Sequence, residues 1–225
     1  MSVPDLAERL DSVRERIAAA VVRGGHGQTV RIVAVTKTFG AETVRAAWEN
    51  GVRDVGENRV QEALRKMDAV ELPVTWHLIG HLQRNKVAAL NRFDLVHSLD
   101  SPRLADAVNV LGSQRGRPVE ALLQVSIVGE ETKGGYDVSG VAAEAKRLAG
   151  MSGIRLKGVM TMAPLEADDG LLRQVFQGAR RARDLLAAAG HPATELSMGM
   201  SNDFEIAVEE GATIVRLGTV LFGAR

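Results

Sequence analysis

The chain contains no cysteine. This absence excludes disulfides, thiolate zinc sites, iron–sulfur clusters and a cysteine nucleophile, and it fits a reducing compartment. Aromatic residues are scarce, at 4% of 225 residues, and Tyr136 is the single tyrosine. No apolar run approaches the roughly 18 residues of a membrane span, and charged residues interrupt the N-terminal segment where the apolar core of a signal peptide would lie. We therefore expect a cytoplasmic protein with no membrane partner.

Neither sign of charge is in excess, because 28 basic residues balance 28 acidic ones. Without a basic field, nucleic acid is not an expected partner. Apolar residues make up 45% and charged residues 25% of the chain, which is typical of a globular protein. A chain of this length buries a large core without metal or disulfide support. The working expectation for its assembly state is a monomer.

Strand-like and helix-like segments alternate along the chain, after a first amphipathic helix. Eight β-branched or apolar segments, each followed by a helical pattern, are residues 30–35, 53–55, 74–79, 94–97, 120–128, 154–160, 195–198 and 213–217. Such alternation predicts parallel βαβ units. Eight units in one domain, residues 1–225, predict a (β/α)₈ TIM barrel with the extra N-terminal helix as a lid over one end. An open doubly wound sheet is the alternative, although no G-x-G-x-x-G motif follows the first strand.

Two consecutive turns of the predicted barrel have the composition of a phosphate site. Gly199 and Ser201 follow the seventh strand, and Gly218 and Thr219 follow the eighth. Glycines let backbone N–H groups approach an anion, and the hydroxyls add donors. Helix capping is the better explanation of either turn alone, with Ser201, or Asn202 together with Glu205, as the capping residues. Two such turns on neighbouring strands favour an anion.

Lys37 ends the first strand, which neighbours the eighth strand in a closed barrel. A solvent-facing lysine is the simpler explanation of Lys37 alone, but a lysine desolvated in a barrel mouth becomes an imine-forming nucleophile. With a phosphate site beside it, this lysine suits pyridoxal 5′-phosphate (PLP) held as a Schiff base, and equally a class I aldolase acting on sugar phosphates. Arg216, at the end of the eighth strand, either forms a surface salt bridge or faces the pyridine nitrogen. It can only donate hydrogen bonds, so it would keep that nitrogen unprotonated and weaken the ring as an electron sink.

Several sequence blocks closely resemble one known family in the same order along nearly the whole chain. They are residues 33–37 (VAVTK), 56–62 (GENRVQE), 77–86 (HLIGHLQRNK), 196–203 (LSMGMSND), 215–219 (VRLGT) and 222–225 (FGAR). The family is that of the pyridoxal phosphate homeostasis proteins. The resemblance implies a fold-type III barrel like the barrel domain of alanine racemase.

The same resemblance implies where the cofactor binds. It puts a covalent PLP aldimine on Lys37, the ring nitrogen opposite Arg216, and the phosphate near Ser201, Gly218 and Thr219. Three further residues are implied to lie close to PLP: Asn58, Met160 and Ser197. Neither a metal ligand nor a catalytic residue is implied.

The implied function is an intracellular PLP reservoir and carrier that influences amino-acid and keto-acid balance without robust catalysis. Apo-enzymes that require PLP are the expected recipients. The alternative is an amino-acid racemase of the alanine racemase type. Two-base racemisation needs an acid or base on each face of the substrate, and the family's second base is a tyrosine from a second domain. The sequence has no room for that domain, and Tyr136, in a glycine-rich loop, is a poor substitute.

Weaker candidates have simpler explanations. Lys133, in the loop 129–135, could hold a second, transient cofactor, but we interpret it as an exposed loop lysine. His77 and His81 are spaced like zinc ligands on a helix, yet the residue after His77 is not Glu and the context is strand and turn. We expect His77 in the barrel mouth or core and His81 in a loop.

Overall fold

The structure, a computed structural model, describes residues 5–129 and 134–223. Its strands are β1 (Arg31–Val35), β2 (Asp54–Glu57), β3 (Thr75–Leu78), β4 (Leu95–Leu99), β5 (Val119–Ser126), β6 (Tyr136–Asp137), β7 (Ile154–Met160), β8 (Glu195–Ser197) and β9 (Ile214–Leu217). Its α-helices are α1 (Leu6–Gly24), α2 (Ala41–Glu49), α3 (Val60–Ala69), α4 (Pro102–Gln114), α5 (Val138–Ala149), α6 (Asp169–Ala188), α7 (Phe204–Glu209) and α8 (Thr219–Phe222), and a 3₁₀ helix covers Arg84–Arg92.

Eight parallel strands close into a barrel. Their order is β4-β3-β2-β1-β9-β8-β7-β5, and pairing of β4 with β5 completes the ring. The register between the first and last strands sets Val33 opposite Arg216. A helical segment follows each of these strands along the chain. The predicted (β/α)₈ barrel is therefore confirmed, and the open doubly wound sheet is excluded.

Alternate residues of each strand point into the barrel, as the period of two requires. An apolar layer inside the barrel consists of Val33, Leu95, Leu122, Met160 and Ile214. The opposite faces of the strands pack against the helices in a second, larger core. Gly56 has to be small, because a Cβ there would lie 2.8 Å from Cγ1 of Val33.

Helix α1 lies along the side of the barrel, where a lid over one end was expected. Its Arg16 pairs with Glu205 of α7 at 2.6 Å, and Arg9 donates to the carbonyl of Leu221 in α8 at 3.3 Å. On the other side, Arg14 donates to the carbonyl of Asn50, just after α2, at 2.9 Å. The physical reason is the length of α8, which has only four residues. Such a short helix leaves barrel surface uncovered, and the apolar stripe of α1 covers it.

The strand β6 was not predicted. Its two residues pair with the end of β5, with Val125 opposite Tyr136, outside the closed ring. Two residues are too few to show any periodicity, so the residue pattern carries no signal for this strand. Across residues 5–129 and 134–223, no helix combines the length and apolar character that a bilayer crossing requires.

Candidate functional site

A cavity of about 590 Å³ opens at the carboxyl ends of the barrel strands. This volume is within the range of small-molecule and cofactor sites, roughly 300–1,000 Å³. Six of the eight predicted site residues line its wall: Lys37, Asn58, Ser201, Arg216, Gly218 and Thr219. Closure of the barrel thus brings the first strand and the last two turns to one pocket.

The other two predicted residues, Met160 and Ser197, lie beneath the cavity and are not part of its wall. Met160 is buried in the apolar layer inside the barrel. Ser197 is also fully buried and accepts a hydrogen bond at 2.6 Å from Nη1 of Arg216. Any influence of these two residues on a bound molecule is therefore exerted through the residues above them.

The two turns predicted to hold phosphate are joined to each other. The backbone N–H of Val220 donates to Oγ of Ser201 at 3.2 Å, so Ser201 accepts there and keeps its own hydroxyl proton for another acceptor. The N-cap of α7 is Asp203, so Ser201 is not the capping residue considered above. Gly199 has a φ of +91°, and a Cβ there would lie 2.7 Å from Cβ of Ala207.

The donors for an anion are thus hydroxyls and backbone N–H groups of two adjoining turns. Helix dipoles contribute less than the sequence suggested, because α7 has six residues and α8 only four.

Lys37 lies on the cavity wall and is exposed at its open mouth. The walls of the cavity therefore do not by themselves shield the Lys37 amine from water, although the sequence had led us to expect that they would. The backbone on both sides of Lys37 is nevertheless fixed. Nζ of Lys66 donates to the carbonyl of Thr36 at 2.7 Å, and the N–H of Thr38 donates to Oε1 of Glu62 at 2.5 Å. Thr38 has a φ of +71°, so these contacts hold an unfavourable left-handed turn directly after Lys37.

A buried ion pair beneath this turn was missed by the sequence analysis. Lys66 is 5% exposed and Glu57 is 0% exposed, and Nζ of Lys66 donates to Oε1 of Glu57 at 2.6 Å. Burial raises the pKa of Glu57, while hydrogen bonds from Lys66 and Thr36 act in the opposite direction. Lys66 lies in an amphipathic helix, where a lysine normally faces solvent, so its position in the sequence did not indicate that it is buried. Glu57 lies within the block 56–62 that resembles the family, and this was the one sequence feature that pointed to a role for it.

Arg216 is buried at the floor of the cavity. Its Nη1 donates to Ser197, and its Nη2 donates to the carbonyl of Thr161 at 2.9 Å. Burial lowers the pKa of Arg216 to about 10, and the carboxylate of Asp203 opposes that shift. The guanidinium is therefore still charged at neutral pH and donates only. Its burial excludes the surface salt bridge that was the alternative explanation.

Other wall residues carried no sequence signal. Gln124 lines the cavity from β5, and Met162 and Leu165 line it from the segment after β7. Leu165 is nevertheless 83% exposed to solvent. Their positions depend on how the strands are staggered in the barrel, which a single sequence does not reveal.

The two histidines lie where the sequence predicted them, whereas Tyr136, expected in a glycine-rich loop, lies in the strand β6. His81 is in a loop at the cavity rim, 71% exposed at its side chain, and its Nδ1 is 2.8 Å from Oδ2 of Asp100. His77 is fully buried inside the barrel. Tyr136 is outside the cavity wall, donates to Oε1 of Glu144 at 2.7 Å, and has a raised pKa because of burial and this carboxylate. Lys133 lies outside the described residues.

The ion pair under Lys37 can be tested by stability measurements. Lys66→Met leaves the Glu57 carboxylate buried without its charged partner, so we expect a loss of about 3–5 kcal/mol in the free energy of unfolding. Urea denaturation measures this loss. Adding Glu57→Gln to Lys66→Met should recover part of the stability, because the uncompensated charge is then gone. In the control, Arg92→Ala breaks an exposed pair with Asp68 and should cost at most about 1 kcal/mol. Equal losses in Lys66→Met and Arg92→Ala would contradict this interpretation.

A second prediction concerns His97, which is completely buried inside the barrel. Burial holds the pKa of His97 well below its ordinary value of 6.5. Below pH 6.5 the unfolded chain therefore binds a proton that the folded chain does not, and folding stability falls as the pH falls. The contribution of one such group is about 1.4 kcal/mol per pH unit.

Urea denaturation of the parent protein and of His97→Gln, at about pH 7 and about pH 5.5, measures this contribution. The stability of the parent should fall more steeply with decreasing pH than that of the variant. Other titrating groups are common to both proteins, so they cancel in the comparison. Identical pH slopes in the two proteins would show that His97 takes up a proton in the folded state.

Known proteins resemble this chain over its whole length. The alanine racemase N-terminal domain family matches residues 9–225. The pyridoxal phosphate homeostasis protein of Aquifex aeolicus (strain VF5) is 40% identical over 222 residues, covering 97% of each chain.

Solved structures agree with this similarity. PipY of Synechococcus elongatus PCC7942, in a structure with PLP bound, is 37% identical with a TM-score of 0.86, covering 97% of this chain and 100% of PipY. Alanine racemase of Bartonella henselae, with covalently bound pyridoxal phosphate, has a TM-score of 0.76 at 15% identity, covering all of this chain and 60% of the racemase. At that identity the racemase shows a shared fold alone. The chain thus belongs to the pyridoxal phosphate homeostasis protein family, within the alanine racemase N-terminal domain family.

Proposed function

We propose that this protein holds PLP in the barrel-mouth cavity as a reservoir and carrier, and gives it up to apo-enzymes that require it. In this proposal the residues 1–225 act as one intracellular domain whose loading influences amino-acid and keto-acid balance. Lys37 binds the cofactor covalently, Arg216 faces the ring nitrogen, and Ser201, Gly218 and Thr219 hold the phosphate. The observation that carries the proposal is the convergence of these residues on one cavity.

The donors of the cavity fit PLP in number and chemistry. PLP supplies an aldehyde that a lysine amine can hold reversibly. Lys37 provides the amine at the open mouth, where its side chain is exposed to solvent. The joined turns offer the hydroxyls of Ser201 and Thr219 and, at Gly218, a stretch of cavity wall without a side chain. That relatives of this chain are named for PLP, and that PipY holds it, supports the assignment.

A racemase is less well supported by the same geometry. Racemisation needs proton donors and acceptors on both faces of the substrate. Tyr136 is engaged with Glu144 away from the cavity. Among the described wall residues, the imidazole of His81 is largely exposed at the rim, and the carboxylate of Asp203 accepts a hydrogen bond from the N–H of Met200. Arg216 donates only, so it does not let a ring nitrogen keep a proton, and this weakens stabilisation of a carbanion.

An aldolase without a cofactor uses only part of this site. A sugar phosphate would engage Lys37 and the two turns, but it offers no ring nitrogen to the guanidinium of Arg216. The buried guanidinium of Arg216 on the cavity floor would then have no group of the ligand to bind. Protein that is yellow as purified would favour a PLP carrier or racemase over an aldolase.

The first prediction from this proposal is that Lys37 carries the covalent link. Borohydride reduction of the PLP-loaded protein, followed by peptide mass mapping, should find the pyridoxyl group on the peptide that contains Lys37. Lys37→Ala should lose this labelling, while Lys86→Ala should keep it and serves as the matched control. Stable labelling chiefly on Lys86 or Lys133 would contradict the assignment.

The second prediction concerns the phosphate. Ser201→Ala and Thr219→Ala each remove a hydrogen bond to a charged group, about 1.5–3 kcal/mol, so the Kd for PLP should rise roughly 10- to 150-fold. Equilibrium titration followed by cofactor absorbance measures the change. Pyridoxal, which lacks the phosphate, should bind less tightly and should respond little to either substitution.

The control for this series is Ser113→Ala, which removes an exposed hydroxyl of α4 far along the sequence from either turn. It should leave both affinities unchanged. Equal affinity of the parent protein for PLP and pyridoxal would show that the two turns are structural only.

The third prediction separates a carrier from a racemase. The open mouth leaves a bound amino acid exposed to water, so α-proton exchange should be slow while transfer of PLP to an apo-enzyme proceeds. Deuterium incorporation into L-alanine in heavy water measures the first rate, and recovery of apo-enzyme activity measures the second. Exchange at ordinary enzyme rates, roughly 1–10³ s⁻¹, would overturn the carrier assignment.

A further inference from the structure

A line of polar side chains runs through the interior of the barrel. His77, His97 and Ser197 are each completely buried, and none of them lines the cavity. They lie among strands whose other inward side chains include Val33 and Leu122. Burying polar groups in an apolar interior costs free energy unless every group finds a partner. The binding site described above does not account for these residues.

The line is continuous from the cavity floor toward the opposite end of the barrel. Nη1 of Arg216 is 2.6 Å from Oγ of Ser197, which is 2.9 Å from Nδ1 of His97. Nε2 of His97 is 2.9 Å from Nδ1 of His77, and Nε2 of His77 is 2.9 Å from Oδ1 of Asp54. Asp54 begins β2, so it lies at the amino end of the barrel, where it is also 3.6 Å from Arg31.

The chemistry of the two ends fixes the direction of the two terminal bonds. Arginine can only donate and an ionised carboxylate can only accept. His77 must therefore donate from Nε2 to Asp54. If both rings are neutral, Nδ1 of His77 accepts from Nε2–H of His97, and Nδ1 of His97 accepts the hydroxyl proton of Ser197. The oxygen of Ser197 is then left with its lone pairs facing Arg216, and all four bonds are satisfied by one arrangement of protons.

A proton added to His77 would reverse the two middle hydrogen bonds, between His77 and His97 and between His97 and Ser197. His77 would then donate from both nitrogens, His97 would carry its proton on Nδ1, and Ser197 would have to accept from both His97 and Arg216. The two arrangements therefore differ in which nitrogen of His97 carries hydrogen. That difference can be measured directly.

We propose that Ser197, His97, His77 and Asp54 form a positioning array for Arg216, with both histidines in the Nε2–H form. The array presents an acceptor to Nη1, and the carbonyl of Thr161 does the same for Nη2. With both terminal nitrogens held, the plane of the guanidinium is fixed beneath the cavity, and a ligand meets a donor of fixed orientation. His97, His77 and Asp54 act on the cavity only through Ser197 and Arg216. The effect on PLP rests on the proposed function, whereas the array itself does not.

Nuclear magnetic resonance on the ligand-free protein tests the array without any cofactor. The ¹⁵N shifts of the five histidines, assigned by single His→Gln substitutions, should show unprotonated Nδ1 and protonated Nε2 in both His77 and His97 at neutral pH. The Nη1 and Nη2 signals of Arg216 should be separate because rotation of the guanidinium is hindered. Ser197→Ala should merge or broaden them. A proton on Nδ1 of either ring, or averaged Arg216 signals in the parent, would overturn the proposal.

PLP titration then tests the consequence for the cavity. His97→Phe keeps a ring but removes both bonds, while His97→Asn keeps an acceptor for Ser197 and is the conservative variant. We expect the Kd for PLP to rise about tenfold, the equivalent of one displaced hydrogen bond, in Ser197→Ala and His97→Phe. The absorption maximum of bound PLP should shift in the same variants, and His97→Asn should restore part of both properties. Thr43→Val, which alters a buried hydroxyl of α2 outside the barrel, should change neither.

The possible outcomes separate the two proposals. If the parent protein binds no PLP, the proposed function fails, and the magnetic resonance measurements still decide the array. If the parent binds PLP but Ser197→Ala and His97→Phe match it in affinity, spectrum and Arg216 signals, the array is overturned and the proposed function stands. Should His97→Phe not fold, Ser197→Ala and His97→Asn provide the same comparison.

Discussion

Pairing of β4 with β5 is the constraint on which the rest of the structure depends. It turns a row of parallel strands into a ring. In the closed ring every second side chain of a strand points into the barrel, and the carboxyl ends of all eight strands surround one opening. Lys37 and Arg216 are 179 residues apart in the sequence, yet the neighbouring positions of β1 and β9 in the ring place them on the same cavity.

The site contains two buried cations that are stabilised in different ways. Lys66 is paired directly with Glu57, so its charge is compensated at hydrogen-bond distance. Arg216 instead donates to a hydroxyl and a carbonyl. A directly paired charge is firmly held but is neutralised toward its surroundings. A charge held by neutral acceptors is less fully compensated, even with the carboxylate of Asp203 acting on it, so Arg216 exerts a stronger electrostatic field on the cavity above it.

Much of this arrangement could be predicted from the sequence, because strand alternation and turn composition are local properties. Lys37, Ser201 and Thr219 follow strand ends, and the barrel rule alone brings them together. The depth of an inward residue is a different matter. Met160 ends β7 and Met162 follows two residues later, yet Met162 lines the cavity and Met160 lies a layer below it. Depth depends on the stagger between neighbouring strands, which is a property of the closed barrel and not of any segment.

Other features were out of reach for a related reason. Lys66 has the sequence surroundings of a surface lysine, and it is buried only because α3 packs over the end of β1 and β2. The prediction that α1 forms a lid was wrong. The four-residue α8 is too short to cover its side of the barrel, and α1 packs there instead. In both cases the outcome was decided by elements distant in sequence, which periodicity within one segment does not report.

The position of α1 also has a consequence for how the chain folds during synthesis. Its buried stripe, which includes Leu10 and Val13, packs against α7 and α8. Because translation proceeds from the N-terminus, this apolar surface is made well before its binding surface, residues 204–222. Likewise, β1 cannot pair with β9 until β9 has been synthesised. Residues 204–222 must therefore leave the ribosome before α1 can dock, and until then α1 is an exposed apolar segment that chaperones are suited to cover.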